Sequence, residues 1–294
     1  MLYFYIWNCF CFKEKRYAMI QKIILILCLF IATACKGQSQ VVEEKKAYIF
    51  PNTSIVASIP EECIKKDGDQ LINAASGFES FLLNIVADEV TVKDENNYGQ
   101  QFNKVLKKDL LLVIDSNLIQ LQTLLKKLTK HIARKDIIYT IALVKNDSDV
   151  NAWTHAGGFI YVTTGLMNFV NSEDELAFCI AHEIGHNENE HCKASVQRIK
   201  TAENMGVSSD LSGMASAVYS TIFAAFNQPQ EMESDLAGVY LAYKAGYDPE
   251  KALDFFEKLS ANEEPNALEK MMRSHPFASE RKTCLQNYLN NAVQ

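Results

Sequence analysis

No excess of positive charge, no internal repeat, no low-complexity tract and no apolar run of bilayer-spanning length stand out in these 294 residues. Twenty-nine Lys and Arg face 36 Asp and Glu, a net charge of −7 with no offsetting basic patch, which argues against a nucleic-acid partner. The apolar run from Ile23 to Ile31 is too short to cross a membrane comfortably. A dense cysteine framework is missing too. Of eight cysteines, three precede Cys35, and the remaining Cys63, Cys179, Cys192 and Cys284 are widely scattered. A chain of this length folds without staples, so none is expected, and Cys179, among apolar neighbours, reads as a small core residue. Hydrophobic residues make up 48%, ordinary for a globular core.

What is present begins with a secretory pattern: Lys22, the apolar stretch Ile23–Ile31, then "ATA" before Cys35. Small residues directly before a cysteine resemble a bacterial lipobox, which would put lipid on Cys35, and the polar "KGQSQ" that follows suits a tether. An ordinary signal-peptidase site after "ATA" and an uncleaved anchor are the alternatives. A complete signal can start at Met19, so residues 1–18 read as a misassigned start, with an extra anchor as the alternative. Removing the first 34 residues leaves 25 basic and 35 acidic side chains, a net −10. The expected organisation is 1–35 signal, 36–97 tether and helical segment, and 98–294 a larger domain.

Hydrophobic periodicity predicts a helix in "GFESFLLNIVADEV" and helical structure from Gln100 to His131. "DIIYTIALVK" is β-branched and aromatic, as in a strand; "VNAWT" and "GGFIYVTTG" continue the extended pattern. "SEDE" is a capping box that opens a helix at Ser172, with Glu175 three residues on. "LSGMASAVYSTIFAAF" reads as a core helix, too short and too rich in serine to span. Pro229 suits the first turn of a helix that Gly246 stops. "DPEKALDFFEKL" and "SERKTCLQNYLNNA" complete the helical set. Helices, a small sheet and more helices make an α+β domain, mostly helical, with the sheet beside the Ser172 helix.

That helix carries "AHEIGHNENEH". Side chains four apart on a helix share a face, so His182 and His186 can present two imidazole nitrogens to one zinc ion, and Glu183 adjoins them as a base for a water. A third ligand is required. The metzincin pattern would place glycine at 189 and histidine at 192, and Asn189 and Cys192 exclude it. His191, five residues past His186, is rotated off the zinc face, a surface residue or a support behind a ligand; Glu188 and Glu190 share the helix and cannot close a tetrahedron. Glu203 and Glu231 remain. "EMESD" sets Glu231 and Asp235 on one face, with Glu233 pointing elsewhere, so one acid can bind metal while the other supports a histidine.

From Tyr98 onward the chain resembles metallopeptidase family 48, the gluzincins that include CAAX prenyl proteases and bacterial periplasmic quality-control peptidases. The matching pieces, in order, are "NAWTHAGGFIYVTTGLM", "HEIGH", "EMESDLAG", "AGYDPEKALDFFEKL" and "RSHPFASER". Trp153 and His155 depart from the Phe and Pro frequent there, which touches local substrate contacts and not the metal site. The resemblance implies a zincin-like fold and one Zn2+ per chain, held by His182, His186 and Glu231, with Asp235 supporting a histidine. It implies a role for His275 at the oxyanion or as a gate, and Arg281 as an anchor for Asp235 or another acid. The strand with Gly158, Phe159, Ile160 and Tyr161 is expected along the cleft, offering an edge to extended protein substrates. The implied protein is an exported, outer-membrane-anchored zinc endopeptidase acting on misfolded or unassembled envelope proteins. A chaperone-like binding module with latent proteolysis is the alternative.

Overall fold

Thr91 caps the first described helix: its hydroxyl accepts the Asp94 amide at 3.2 Å while the Asp94 carboxylate takes the Thr91 amide, a capping box for α1, Val92–Asp109. The structure, a computed structural model, describes residues 46–50, 60, 63, 89–204, 226–261, 275 and 278–293. The signal region with Cys35 lies outside these residues, as do the helices expected over 77–90 and 211–226 except for their ends at 89–90 and 226. The expected boundary at 97/98 falls inside α1. Among the described residues, no helix is long and apolar enough to cross a membrane.

The helical pattern from Gln100 to His131 is interrupted. After α1 come a two-residue strand β1, Leu112–Val113, and α2, Ser116–Leu128, which Asp115 caps through the amides of Asn117 and Leu118. Within the apolar run 110–114 only Leu112 and Val113 pair, with Val144 and Leu143, before Asp115 starts the next helix. Then follow β2, Thr140–Val144; β3, Ala152–His155; β4, Phe159–Thr163; and α3, Thr164–Phe169. Five further helices are described: α4, Glu173–Glu188; α5, His191–Asn204; α6, Gln228–Lys244; α7, Lys251–Ala261; and α8, Ala278–Ala292.

The sheet order is β1-β2-β4-β3, with β2 and β4 parallel and the other pairs antiparallel. β4 is interior, and all five of its residues are buried. Ile160 and Val162 join one apolar cluster with Leu121 and Leu128 of α2 and Leu176 and Ile180 of α4, while Phe159 and Tyr161 join another with Phe102 and Leu106 of α1 and Val196 of α5. Burial on both faces explains its unbroken apolar sequence. The expectation that Gly158, Phe159, Ile160 and Tyr161 present a free edge is therefore corrected: β2 and β3 pair with both sides of β4, and the outer strand on this side is β3.

The expectation of no staple is also corrected. Cys63 and Cys284 form a disulfide, 221 residues apart in sequence, packed with Met232 of α6. Cys179 is buried and free, as expected for a core residue.

Candidate metal centre

Ser172 caps α4 by accepting the Glu175 amide at 3.1 Å. The return bond goes one residue further back than in a full capping box: the Glu175 carboxylate accepts from the Asn171 amide. Three acids in the first turn suit the positive end of the helix dipole. Two turns on, His182 and His186 face the same way, with Nε2 atoms 3.1 Å apart.

α6 crosses α4 closely enough to bring Glu231 to this pair. Glycine allows the approach. A Cβ on Gly185 would sit 3.0 Å from Ala237 Cβ and from Ser234 Cα, and one on Gly238 would sit 3.2 Å from the His182 amide nitrogen. Asn227 caps α6, Pro229 occupies its first turn, and Glu231 one turn in is fully buried. Its two oxygens stand 3.6 Å from His182 Nε2 and 3.6 Å from His186 Nε2. One turn later Asp235 accepts from His182 Nδ1 at 2.9 Å. Arg281 of α8 clamps Asp235 through Nε and Nη2, both at 2.7 Å, and reaches Glu231 through Nη1 at 2.7 Å. Burial alone would raise the pKa values of both acids, but the guanidinium holds each below the usual carboxylate range.

Proton positions follow from these partners. A carboxylate only accepts, so His182 Nδ1 carries the hydrogen and its Nε2 keeps a lone pair. His186 Nδ1 faces His191 Nδ1 at 3.0 Å. Burial and the neighbouring His182 and His191 push the His186 pKa far down, so the ring is neutral. Lone pairs from His182 Nε2, His186 Nε2 and Glu231 thus converge in a buried space, the nitrogen and oxygen donor set that zinc takes. A tetrahedral zinc site with bonds of about 2.0–2.1 Å spaces its ligand atoms by roughly 3.3 Å, and the separations of 3.1–3.6 Å match. The residues present therefore fit the ion.

His275 joins them. Its Nε2 donates to the Ala152 carbonyl of β3 at 3.2 Å, leaving Nδ1 directed at the cluster, 3.2 Å from Glu231 Oε1 and 3.4 Å from His182 Nε2. His182, His186, Glu231 and His275 each offer an atom within 4.8 Å of the others. Burial pulls the His275 pKa down, but Glu231 and Glu183 outweigh it and raise the value to about 9. Glu183 is buried beside them; its Oε2 has no hydrogen-bond partner among the described residues, and burial raises its pKa. A cavity of about 20 Å³, room for one water, lies between Glu183, His275, Ala152 and Phe178. A groove of about 560 Å³ between α2 and β2 is lined by none of these residues, so size alone does not mark the site.

The surface alternative for His191 and the outward placement of Glu233 fail for one reason. α4 does not run through His191; it ends at Asn189, and Glu190, at φ 60°, redirects the chain into α5. His191 is consequently buried against His186, and Glu233, expected to point away, accepts from it. Asn189, a residue type that tolerates helix ends, is the signal that could have revealed the break. Phe226, stacked on the His186 ring at 3.8 Å, carried no sequence signal. Glu203 accepts from the Tyr98 hydroxyl and is not among the clustered ligands.

Residues 116–289 match the profile of Peptidase family M48. Among curated proteins, the mitochondrial metalloendopeptidase OMA1 of Arabidopsis thaliana is 32% identical over 49% of this chain and 30% of its own length. The beta-barrel assembly-enhancing protease of Yersinia pestis is 26% identical over 68% of this chain and 45% of its own. The metalloprotease LoiP of Escherichia coli is 27% identical over 77% and 90% respectively. The chain thus spans less than half the length of the first two of these relatives.

Proposed function

The chain belongs to peptidase family M48, a family of metalloproteases, and on that premise we propose that it is a zinc-dependent endopeptidase of the cell envelope. One observation carries the reading: two imidazole nitrogens and a carboxylate converge beside a buried glutamate, one of whose oxygens has no partner among the described residues. His182, His186 and Glu231 would hold the ion. Bound zinc supplies Lewis acidity, lowering the pKa of water and polarising the scissile carbonyl.

The protein's own groups do the rest. Glu183, its pKa raised by burial, takes the proton of the attacking water and delivers it to the leaving amine. Asp235 fixes His182, and Arg281 holds Asp235 and Glu231 in one frame. β3 is the strand beside the site, and an extended substrate would pair with it. His275 stands in the way on both counts: it binds the Ala152 carbonyl of β3 and points Nδ1 into the ligand set. We assign it as a gate that withdraws when substrate enters.

Envelope proteins under misassembly are the proposed substrates, and export with lipid on Cys35 the proposed route. The beta-barrel assembly-enhancing relatives, the secretory pattern before Cys35 and the Cys63–Cys284 disulfide support this, since disulfides persist in oxidising compartments. Glu183→Gln should keep its zinc and lose casein cleavage by about 10²–10⁴-fold; cleavage at the wild-type rate would refute the general-base role. His275 seated on the cluster also favours a second reading, a chaperone-like binding module with latent proteolysis. Rescue of a deletion strain's envelope defect by Glu183→Gln would select that reading.

A further inference from the structure

His186 is served by two residues outside the ligand set. Its Nδ1 lies 3.0 Å from His191 Nδ1, and His191 Nε2 lies 2.8 Å from Glu233 Oε2. The Glu233 carboxylate only accepts, so His191 Nε2 carries a hydrogen. A neutral imidazole has one N–H, so His191 Nδ1 must accept. His186 Nδ1 is the donor that faces it. The His186 proton is thereby held on the side away from His182 and Glu231, and Nε2 is left as a lone pair among them. Ser234 Oγ also approaches His191 Nδ1, but at 3.5 Å it is the weaker neighbour.

We propose that His191 and Glu233 are positioning residues: a two-step relay that fixes His186 in its Nδ1–H tautomer and so sets the affinity of the site for its metal. The proposal rests on the zinc-peptidase reading above. The relay does for His186 what Asp235 does directly for His182. The two supports differ in exposure. Asp235 is buried and clamped by Arg281, whereas the Glu233 side chain is 34% exposed and lies only two residues past Glu231 on α6. Because His191 opens α5, the relay also ties that helix to α4 and α6. Were His191 instead protonated on both nitrogens, His186 would have to accept at Nδ1 and turn an N–H into the metal position.

The test uses the full chain, stripped of metal and titrated with zinc against a chromophoric chelator, alongside the thermal midpoint of each metal-free variant. His191→Phe keeps a ring but removes the acceptor, and its zinc affinity should fall about 10- to 100-fold. His191→Asn retains an oxygen where Nδ1 stands and should recover most of that loss, which a merely structural role would not allow. Glu233→Ala, at the partly open end, should weaken zinc while leaving the metal-free midpoint unchanged; it carries the test if His191→Phe fails to fold. Equal zinc affinity in wild type, His191→Phe and Glu233→Ala would overturn the relay, as would His191→Asn binding as poorly as His191→Phe. Wild type that takes up no zinc would remove the underlying reading, an outcome distinct from both.

Discussion

At the residue scale, the centre is a problem in proton placement. His182 and His186 present bare Nε2 atoms 3.1 Å apart because each Nδ1 hydrogen is directed elsewhere, to Asp235 and to His191. Arg281 links Asp235 and Glu231 with a planar fork that a lysine would not reproduce. His275 lies against Glu231, His182 and the Ala152 carbonyl, where the proposed gate would have to withdraw to admit substrate. If it gates, His275→Ala should raise the rate of casein cleavage at low substrate, read as kcat/KM with zinc saturating. A fall of about 10²-fold or more would make it a transition-state donor instead, since oxyanion donors act on that scale.

At the element scale, the close crossing of α4 and α6 sets where Glu231 lies relative to the histidines. Gly238→Val would press its side chain on the His182 backbone and the Phe178 ring, since its Cβ alone would already lie 3.2 Å from each, and push α6 outward. Zinc uptake should weaken in this variant even though no ligand is changed; unaltered uptake would show that the interface yields without moving Glu231. Elements that announce themselves locally were legible in the sequence. Ser172 and Glu175 mark the start of α4, and Pro229 and Gly246 bracket α6. The spacing of His182, Glu183 and His186 rides on α4, and so their placement side by side was legible with it. The position of β4 was not, because which edge is free depends on pairing with β2 and β3 and not on its own residues. The turn at Asn189–Glu190 was hidden as well, since a single left-handed residue breaks the helix without an apolar signal. With that turn missed, the surface and supporting positions for His191 could not be told apart, and Glu233 was placed on the wrong face.

At the scale of the whole molecule, Cys63–Cys284 joins an early segment to α8, the helix that also carries Arg281 one turn before. Cysteines 221 residues apart give no hint of partnership in sequence. Replacing both by serine should lower stability by about 2–4 kcal/mol in chemical denaturation, and no loss would mean that the bond constrains nothing. The central claim, however, is the ion and its three protein ligands. X-ray absorption at the zinc edge on the purified chain tests it most directly. One zinc per chain, bound by at least two imidazole nitrogens and a carboxylate oxygen and without sulfur, with the carboxylate signal lost in Glu231→Ala, is the predicted result. A chain that binds no zinc, or one whose zinc environment is the same in Glu231→Ala, would contradict it.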